Sequence, residues 1–182
     1  TFAIQQDTYA KLPMIETDAQ FDAIMSAGYS VSLFPDWQQD WINTLWIKHQ
    51  LTDDRPLDTP TDFFGATLAP REAPMEHASD RYLTPMGIPG PWHERLPHFY
   101  FKDAQLQGNE LQSEYFVPRQ HAVAAMLAVA RLRTQLAPIL QVTEVRTVAA
   151  DKLWLSPAYE QDIVGIHFNW HRDWPGVQQF LP

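Results

Sequence analysis

The stretch EVRTVAADKLWLSPAY at residues 144–159 is the most informative part of this chain, and IHFNW follows it at residues 166–170. The first stretch places a carboxylate, Glu144, two residues before a guanidinium, Arg146, in a predicted strand. Side chains at positions i and i+2 share one face of a strand. His167 and Asn169 repeat this arrangement with an imidazole and an amide. The pattern predicts a polar sheet face that could form the floor of a site for a polyhydroxylated ligand.

A third polar pair, Gln112 and Glu114, lies in another predicted strand. If the three strands are neighbours in one sheet, their polar pairs converge on one surface. Carboxylates and guanidinium groups bind hydroxyls through charge-assisted hydrogen bonds, and amides add both donors and acceptors. The alternative is a solvated sheet face whose ion pairs contribute little free energy.

Hydrophobic periodicity and turn residues predict an α+β fold, mainly an antiparallel sheet covered by helices on one face. The predicted strands are 2–9, 29–34, 43–49, 111–117, 142–148 and 163–170. Residues 17–20 resemble a capping box before a helix that Gly28 ends, and a second helix is predicted over 119–136. A final helix is predicted to begin near Pro175.

Residues 50–97 differ from the rest, because eight of the chain's fifteen prolines lie there and no period persists. Proline cannot donate to a sheet ladder and restricts the residue before it. The segment therefore predicts a long irregular excursion, with an ordered turn at residues 87–95 that buries Trp92.

Composition excludes several classes of function. The chain has 182 residues, enough for a single domain, and a formal charge of −9 without a basic block, so neither nucleic acid nor an anionic membrane surface is an expected partner. No apolar stretch approaches a membrane span. The absence of cysteine excludes disulfides and thiolate sites and is compatible with a reducing compartment; we expect a cytoplasmic protein.

No metal site is predicted. His167 and His171 are four residues apart, a spacing that brings imidazoles together on a helix but leaves them about 13 Å apart on a strand. The sequence also lacks a glycine-rich phosphate-binding motif and a nucleophile elbow.

Several motifs together resemble the cap domain of bacterial alditol (xylitol) oxidases. They are the stretch at 144–159, GPWHERLPHF at 90–99, ELQSEY at 110–115, YSVSLF at 29–34, and the His-Phe-x-Trp pattern at 167–170. The resemblance covers nearly the whole chain. Its shorter Glu-x-Arg and Ser-Pro elements are shared more widely among sugar-lactone oxidases of the same superfamily.

The resemblance implies a two-domain flavoprotein of the vanillyl-alcohol-oxidase type. In such enzymes an N-terminal domain binds FAD, and the cap domain closes over the flavin and shapes the substrate site. Residues 1–182 would then be one cap domain, truncated at both ends and without its flavin domain. The full-length enzyme would oxidise a primary alcohol of a polyol such as xylitol or sorbitol, with oxygen as electron acceptor giving hydrogen peroxide, whereas the fragment alone would be inactive.

The same resemblance implies roles for individual residues. Glu144 and Arg146 match the catalytic acid–arginine pair that contacts the polyol near the flavin. Gln112 and His167 match residues that line the substrate site. Asn169 stands where such oxidases usually carry threonine, and this departure leaves the substrate preference open.

Three alternatives remain at this stage. One is the cap domain of a sugar-1,4-lactone oxidase, of the D-arabinono-1,4-lactone oxidase family. Another is a non-catalytic carbohydrate-binding module that uses the polar sheet face. A third is a hydrolase with Glu144 and Glu114 as its carboxylate pair, which the separation of the carboxyl groups would test.

Overall fold

The computed structural model describes residues 2–52, 55–70, 84–96 and 111–181. It confirms the predicted α+β class, because the largest part of its regular secondary structure is one antiparallel sheet, accompanied by a few helices. The strands are β1 (Ala3–Pro13), β2 (Ser30–Phe34), β3 (Trp41–Leu51), β4 (Asp62–Phe63), β5 (Ala66–Leu68), β6 (Gly90–Pro91), β7 (Leu111–Pro118), β8 (Leu140–Val148) and β9 (Ile163–Trp170). The helices are α1 (Met14–Met25), α2 (Trp92–Arg95), α3 (Ala122–Ala130), α4 (Arg133–Leu136) and α5 (Trp174–Val177).

The strand order is β4-β5-β1-β3-β2-β8-β9-β7, with β6 paired to the other half of β1. The strands β1, β3 and β2 come from residues 3–51, and β7, β8 and β9 come from residues 111–170. The two groups meet where β2 pairs with β8, through Ser32 opposite Arg146 and Leu33 opposite Val145. The middle of the continuous sheet is therefore built from both groups.

One face of the sheet carries the main hydrophobic core. Phe21 and Ile24 of α1 and Met126 of α3 are buried in the same cluster as Leu33 of β2 and Ile166 of β9. The strand β9 reads Ile-Val-Gly-Ile-His-Phe-Asn-Trp, and its apolar residues at alternate positions enter this core. The polar residues between them lie on the opposite face, as the sequence pattern predicts.

The helix predicted over 119–136 is not continuous. A 3-10 turn at Arg119–His121 precedes α3, and α4 follows after a break at Leu132, whose backbone angles are non-helical (φ −92°, ψ 4°). Ala122 and Leu136 are buried, but Leu132, which a straight helix over these residues would place near Leu136, is exposed. Because the helix is interrupted at Leu132, the helical spacing that would place this residue on the buried face is lost.

The predicted capping box at residues 17–20 is also wrong. The helix α1 begins earlier, at Met14, after Pro13. Thr17 is buried inside the helix, and its hydroxyl donates to the Pro13 carbonyl (3.4 Å) rather than capping a free N–H group. The helix is kinked at Gln20 (φ −128°), so the predicted start lies close to an irregularity within α1. The helix ends at Met25, before the predicted stop at Gly28.

The proline-rich segment contains more regular structure than predicted. Among its described residues, β4 and β5 form a short hairpin beside β1, and β6 leads into α2. Arg95 holds the predicted turn by donating to the carbonyls of Ile88 and Pro89, and Trp92 is half-buried against Phe2. Residues 53–54, 71–83 and 97 of this segment, like 98–99 and 110 of the motifs above, lie outside the described residues.

Candidate functional site

The five predicted site residues lie on one face of three adjacent strands. In the order β8-β9-β7, His167 lies between Glu144 and Glu114, and Asn169 lies between Val142 and Gln112. Arg146 belongs to the next row, opposite Gly165. The sheet thus brings together the polar pairs that the sequence predicted would converge.

Arg146 joins the two outer strands of this group. Its Nη1 donates to Glu144 Oε2 at 3.3 Å within β8, and its Nη2 donates to Glu114 Oε1 at 2.9 Å on β7. The three side chains are between 21% and 34% exposed, which leaves them accessible but partly shielded from water. Ion pairs in this range of exposure are stronger than fully solvated ones.

His167 and Asn169 form a second polar pair. The ring nitrogen His167 Nε2 lies 3.1 Å from Asn169 Oδ1. With the amide oxygen facing the ring, Nε2 is the donor and the neutral imidazole keeps Nδ1 as an acceptor. Within the described residues, Nδ1 is buried and has no hydrogen-bond partner. Buried polar atoms are rarely left in that state, so this acceptor marks a place where the hydrogen bonding of the site is incomplete.

Lys48 and Trp46 extend the same face onto β3, and neither was predicted from the sequence as a site residue. Trp46 is opposite Ser32, which in turn is opposite Arg146. Lys48 is 8% exposed, and its Nζ lies 5.8 Å from the centre of a Trp46 ring. Burial lowers the pKa of Lys48, and the nearby Glu144 carboxylate partly opposes this shift by raising the pKa. The signal available in the sequence was the i, i+2 spacing of Trp46 and Lys48 in the predicted strand 43–49, which places both side chains on one face.

The arrangement can bind a ligand with several hydroxyl groups. It offers a guanidinium donor, two carboxylate acceptors and two amides on one surface, and the His167 ring orients one of these amides. Within the described ranges, no group of three or more His, Asp or Glu side chains could hold a metal ion. Nor does any described helix have both the length and the apolar character needed to cross a membrane.

Comparison with known proteins agrees with the resemblance predicted from the motifs. No family model matches the chain. The chain is 43% identical over 176 residues to an alditol oxidase from Streptomyces sp. (strain IKD472 / FERM P-14339). The aligned region covers 97% of this chain but only 41% of the relative, so the chain spans less than half the length of that protein. This protein is therefore similar, over nearly all of its sequence, to part of an alditol oxidase.

Proposed function

We propose that this chain is the substrate-binding cap domain of an FAD-dependent alditol oxidase. The full-length enzyme would oxidise a primary alcohol of a polyol, with oxygen as electron acceptor giving hydrogen peroxide. The observation that carries the proposal is the Arg146 ion-pair cluster beside His167 and Asn169, on a sheet face opposite the helices, in a chain 43% identical to an alditol oxidase.

Different side chains of the cluster are suited to binding a polyol and to orienting it. Oxidation of a primary alcohol removes a hydride from carbon and a proton from oxygen, so negative charge develops on that oxygen. Arg146 is suited to stabilise this charge, because a fixed cation aimed at a developing oxyanion lowers the barrier. Glu144 holds Arg146 through Oε2, and its other oxygen can accept a hydrogen bond from a further hydroxyl.

Gln112, His167 and Asn169 would bind the remaining hydroxyl groups of the polyol. Gln112 is exposed and directly opposite Asn169, so the two amides can contact one extended ligand. His167 holds the Asn169 amide in place through the 3.1 Å contact. These residues therefore set which hydroxyl pattern fits, whereas Arg146 acts at the reacting end.

The described residues fit the substrate side of a flavin site. Their polar cluster lies opposite the face that carries α1 and α3, so the other part of the enzyme can approach it. FAD bound there would accept the hydride from the carbinol carbon. We assign no residue of this chain to holding FAD, and the task of this chain is to fix the polyol and exclude water around it.

The test uses the full-length natural protein that contains this chain. Its visible spectrum is recorded before and after anaerobic addition of xylitol or sorbitol. Bleaching of a flavin spectrum by a polyol is the expected result. Bleaching by an aldonolactone but not by polyols would favour the lactone-oxidase alternative. A protein without flavin that still binds sugars would favour the carbohydrate-binding module.

Two substitutions test the catalytic pair in the same protein. Glu144→Gln and Arg146→Ala should each lower kcat/KM for xylitol by at least about 100-fold, because each disturbs charge stabilisation in the transition state. The matched control is Arg131→Ala, which removes an exposed guanidinium beyond the end of α3. Near wild-type turnover of xylitol by either site variant would contradict the assignment.

A further inference from the structure

Two carboxylates on different strands bind Arg146, and the Glu-x-Arg motif of the sequence contains only one of them. Glu144 is two residues away on the same strand, whereas Glu114 is 32 residues away on β7. Because β9 lies between β8 and β7, these two outer strands are two inter-strand spacings apart, or about 10 Å. The side chains of Arg146 and Glu114 must together span that distance. The contact to Glu114 is nevertheless the shorter one, at 2.9 Å against 3.3 Å.

Gly165 makes this contact possible. It lies on β9 between Arg146 and Phe116, where the Glu114 side chain passes diagonally over the strand. A Cβ atom at position 165 would meet Glu114 Oε1 at 2.8 Å and Phe116 Cε1 at 3.3 Å. Carbon and oxygen atoms do not approach this closely without displacement, so any larger residue would push the carboxylate away.

We propose that Glu114 is a positioning residue for Arg146, and that Gly165 provides the gap over which its carboxylate reaches the guanidinium. The proposal rests on the proposed function, since Arg146 is the group whose position matters for the reaction. A single carboxylate partner leaves the guanidinium free to swing about that contact. Partners at both Nη atoms fix its plane and leave three of its five N–H donors for the substrate.

The kinetic test compares full-length Glu114→Gln with wild type. The amide keeps the size of the side chain but removes the charge that orients Arg146. We expect kcat for xylitol to fall about tenfold with KM changed by less than about threefold, because the loss appears mainly in the transition state. Asp18→Asn is the control, since it removes an equal charge from an exposed position on α1.

Gly165→Ala tests the same contact by steric means. The closest atom, Glu114 Oε1, is the end of a flexible side chain, and the Phe116 ring needs to shift by only a few tenths of an ångström, so the strand can persist while Glu114 is pushed aside. Its kinetic effect should match that of Glu114→Gln, and the double variant should be no worse than either single one, as expected for two changes that break one contact. Additive effects, or a Glu114→Gln enzyme with wild-type kcat, would overturn the proposal.

Chemical labelling provides a second measurement that does not depend on polyol oxidation. Phenylglyoxal reacts with guanidinium groups that it can approach, so ion pairs that hold Arg146 between two carboxylates should slow the reaction. Labelling of Arg146 relative to Arg131, followed by peptide mass spectrometry, should be several-fold faster in Glu114→Ala than in wild type and intermediate in Glu114→Gln. Unchanged labelling would refute the positioning role. If wild type does not oxidise polyols but the labelling result holds, then the proposed function fails while the contact stands.

Discussion

Tyr9 should make the stability of this protein fall steeply at alkaline pH. Its side chain is 2% exposed, packs against Phe63 with ring centres 5.4 Å apart, and donates from its hydroxyl to the Pro60 carbonyl at 3.0 Å. Burial raises the pKa of Tyr9 to about 12, with smaller contributions from the carboxylates of Asp7 and Asp62. The phenol is therefore held in its neutral form in the folded state.

The size of the effect follows from the two pKa values. In the unfolded chain the phenol ionises near pH 10. Because the folded pKa is higher, the contribution to stability is fully present below pH 10 and is lost as the pH rises toward 12. Between pH 9 and pH 11, the free energy of unfolding should fall by about 1.3 kcal/mol through this residue alone.

The assay is denaturant unfolding of wild type and Tyr9→Phe across this pH range. At pH 9 the variant should be less stable by about 1 kcal/mol, because it lacks the hydrogen bond to Pro60. This deficit should vanish or reverse by pH 11, since Phe cannot ionise. The matched control Tyr159→Phe removes an exposed hydroxyl and should follow wild type. A constant difference between wild type and Tyr9→Phe from pH 9 to 11 would refute the reasoning.

Two further predictions concern the site and an exposed loop. Asn169→Thr in the full-length enzyme should remove the 3.1 Å contact with His167. The ratio of the kcat/KM values for xylitol and sorbitol should then change by about tenfold. An unchanged ratio would mean that this position does not set substrate preference. Leu153, Trp154 and Leu155 are 71%, 80% and 79% exposed in the loop between β8 and β9, so the 182-residue chain should self-associate through them. Replacing all three with serine should shift its sedimentation toward the monomer, whereas Ile15→Ser, at a residue 74% exposed on α1, should not.

The sequence predicts the central strands well because their side chains alternate clearly. The bounds of β9 agree with the prediction 163–170, and β8 begins only two residues before the predicted 142. The short strands β4, β5 and β6 were missed, since two or three residues cannot display a period. The places of β5 and β6 are fixed by pairing with β1, and that of β4 by pairing with β5, which only the folded chain reveals.

Side chains of β1 also hold the proline-rich segment against the sheet. Gln5 exchanges hydrogen bonds with the backbone of Leu57, and Thr59 donates to Asp7 Oδ1 at 2.9 Å. Burial tends to raise the pKa of Asp7, but hydrogen bonds from His49, Gln5 and Thr59 outweigh it, so the net shift is downward. Buried polar side chains on β1 thus hold a segment that has no hydrophobic periodicity of its own. No sequence pattern signals such a contact.

The candidate site shows where reasoning from sequence stops. Spacing of i and i+2 identifies Glu144 with Arg146 and His167 with Asn169, because each pair belongs to one strand. The Arg146–Glu114 contact depends instead on the order β8-β9-β7 and on the missing side chain at Gly165. A glycine inside a strand of otherwise large residues was a visible signal of close approach, but not of which group approaches. Since the strand order decides this, the positioning of the arginine is a property of the whole sheet, and a substitution on β9 can break a contact that joins β8 to β7.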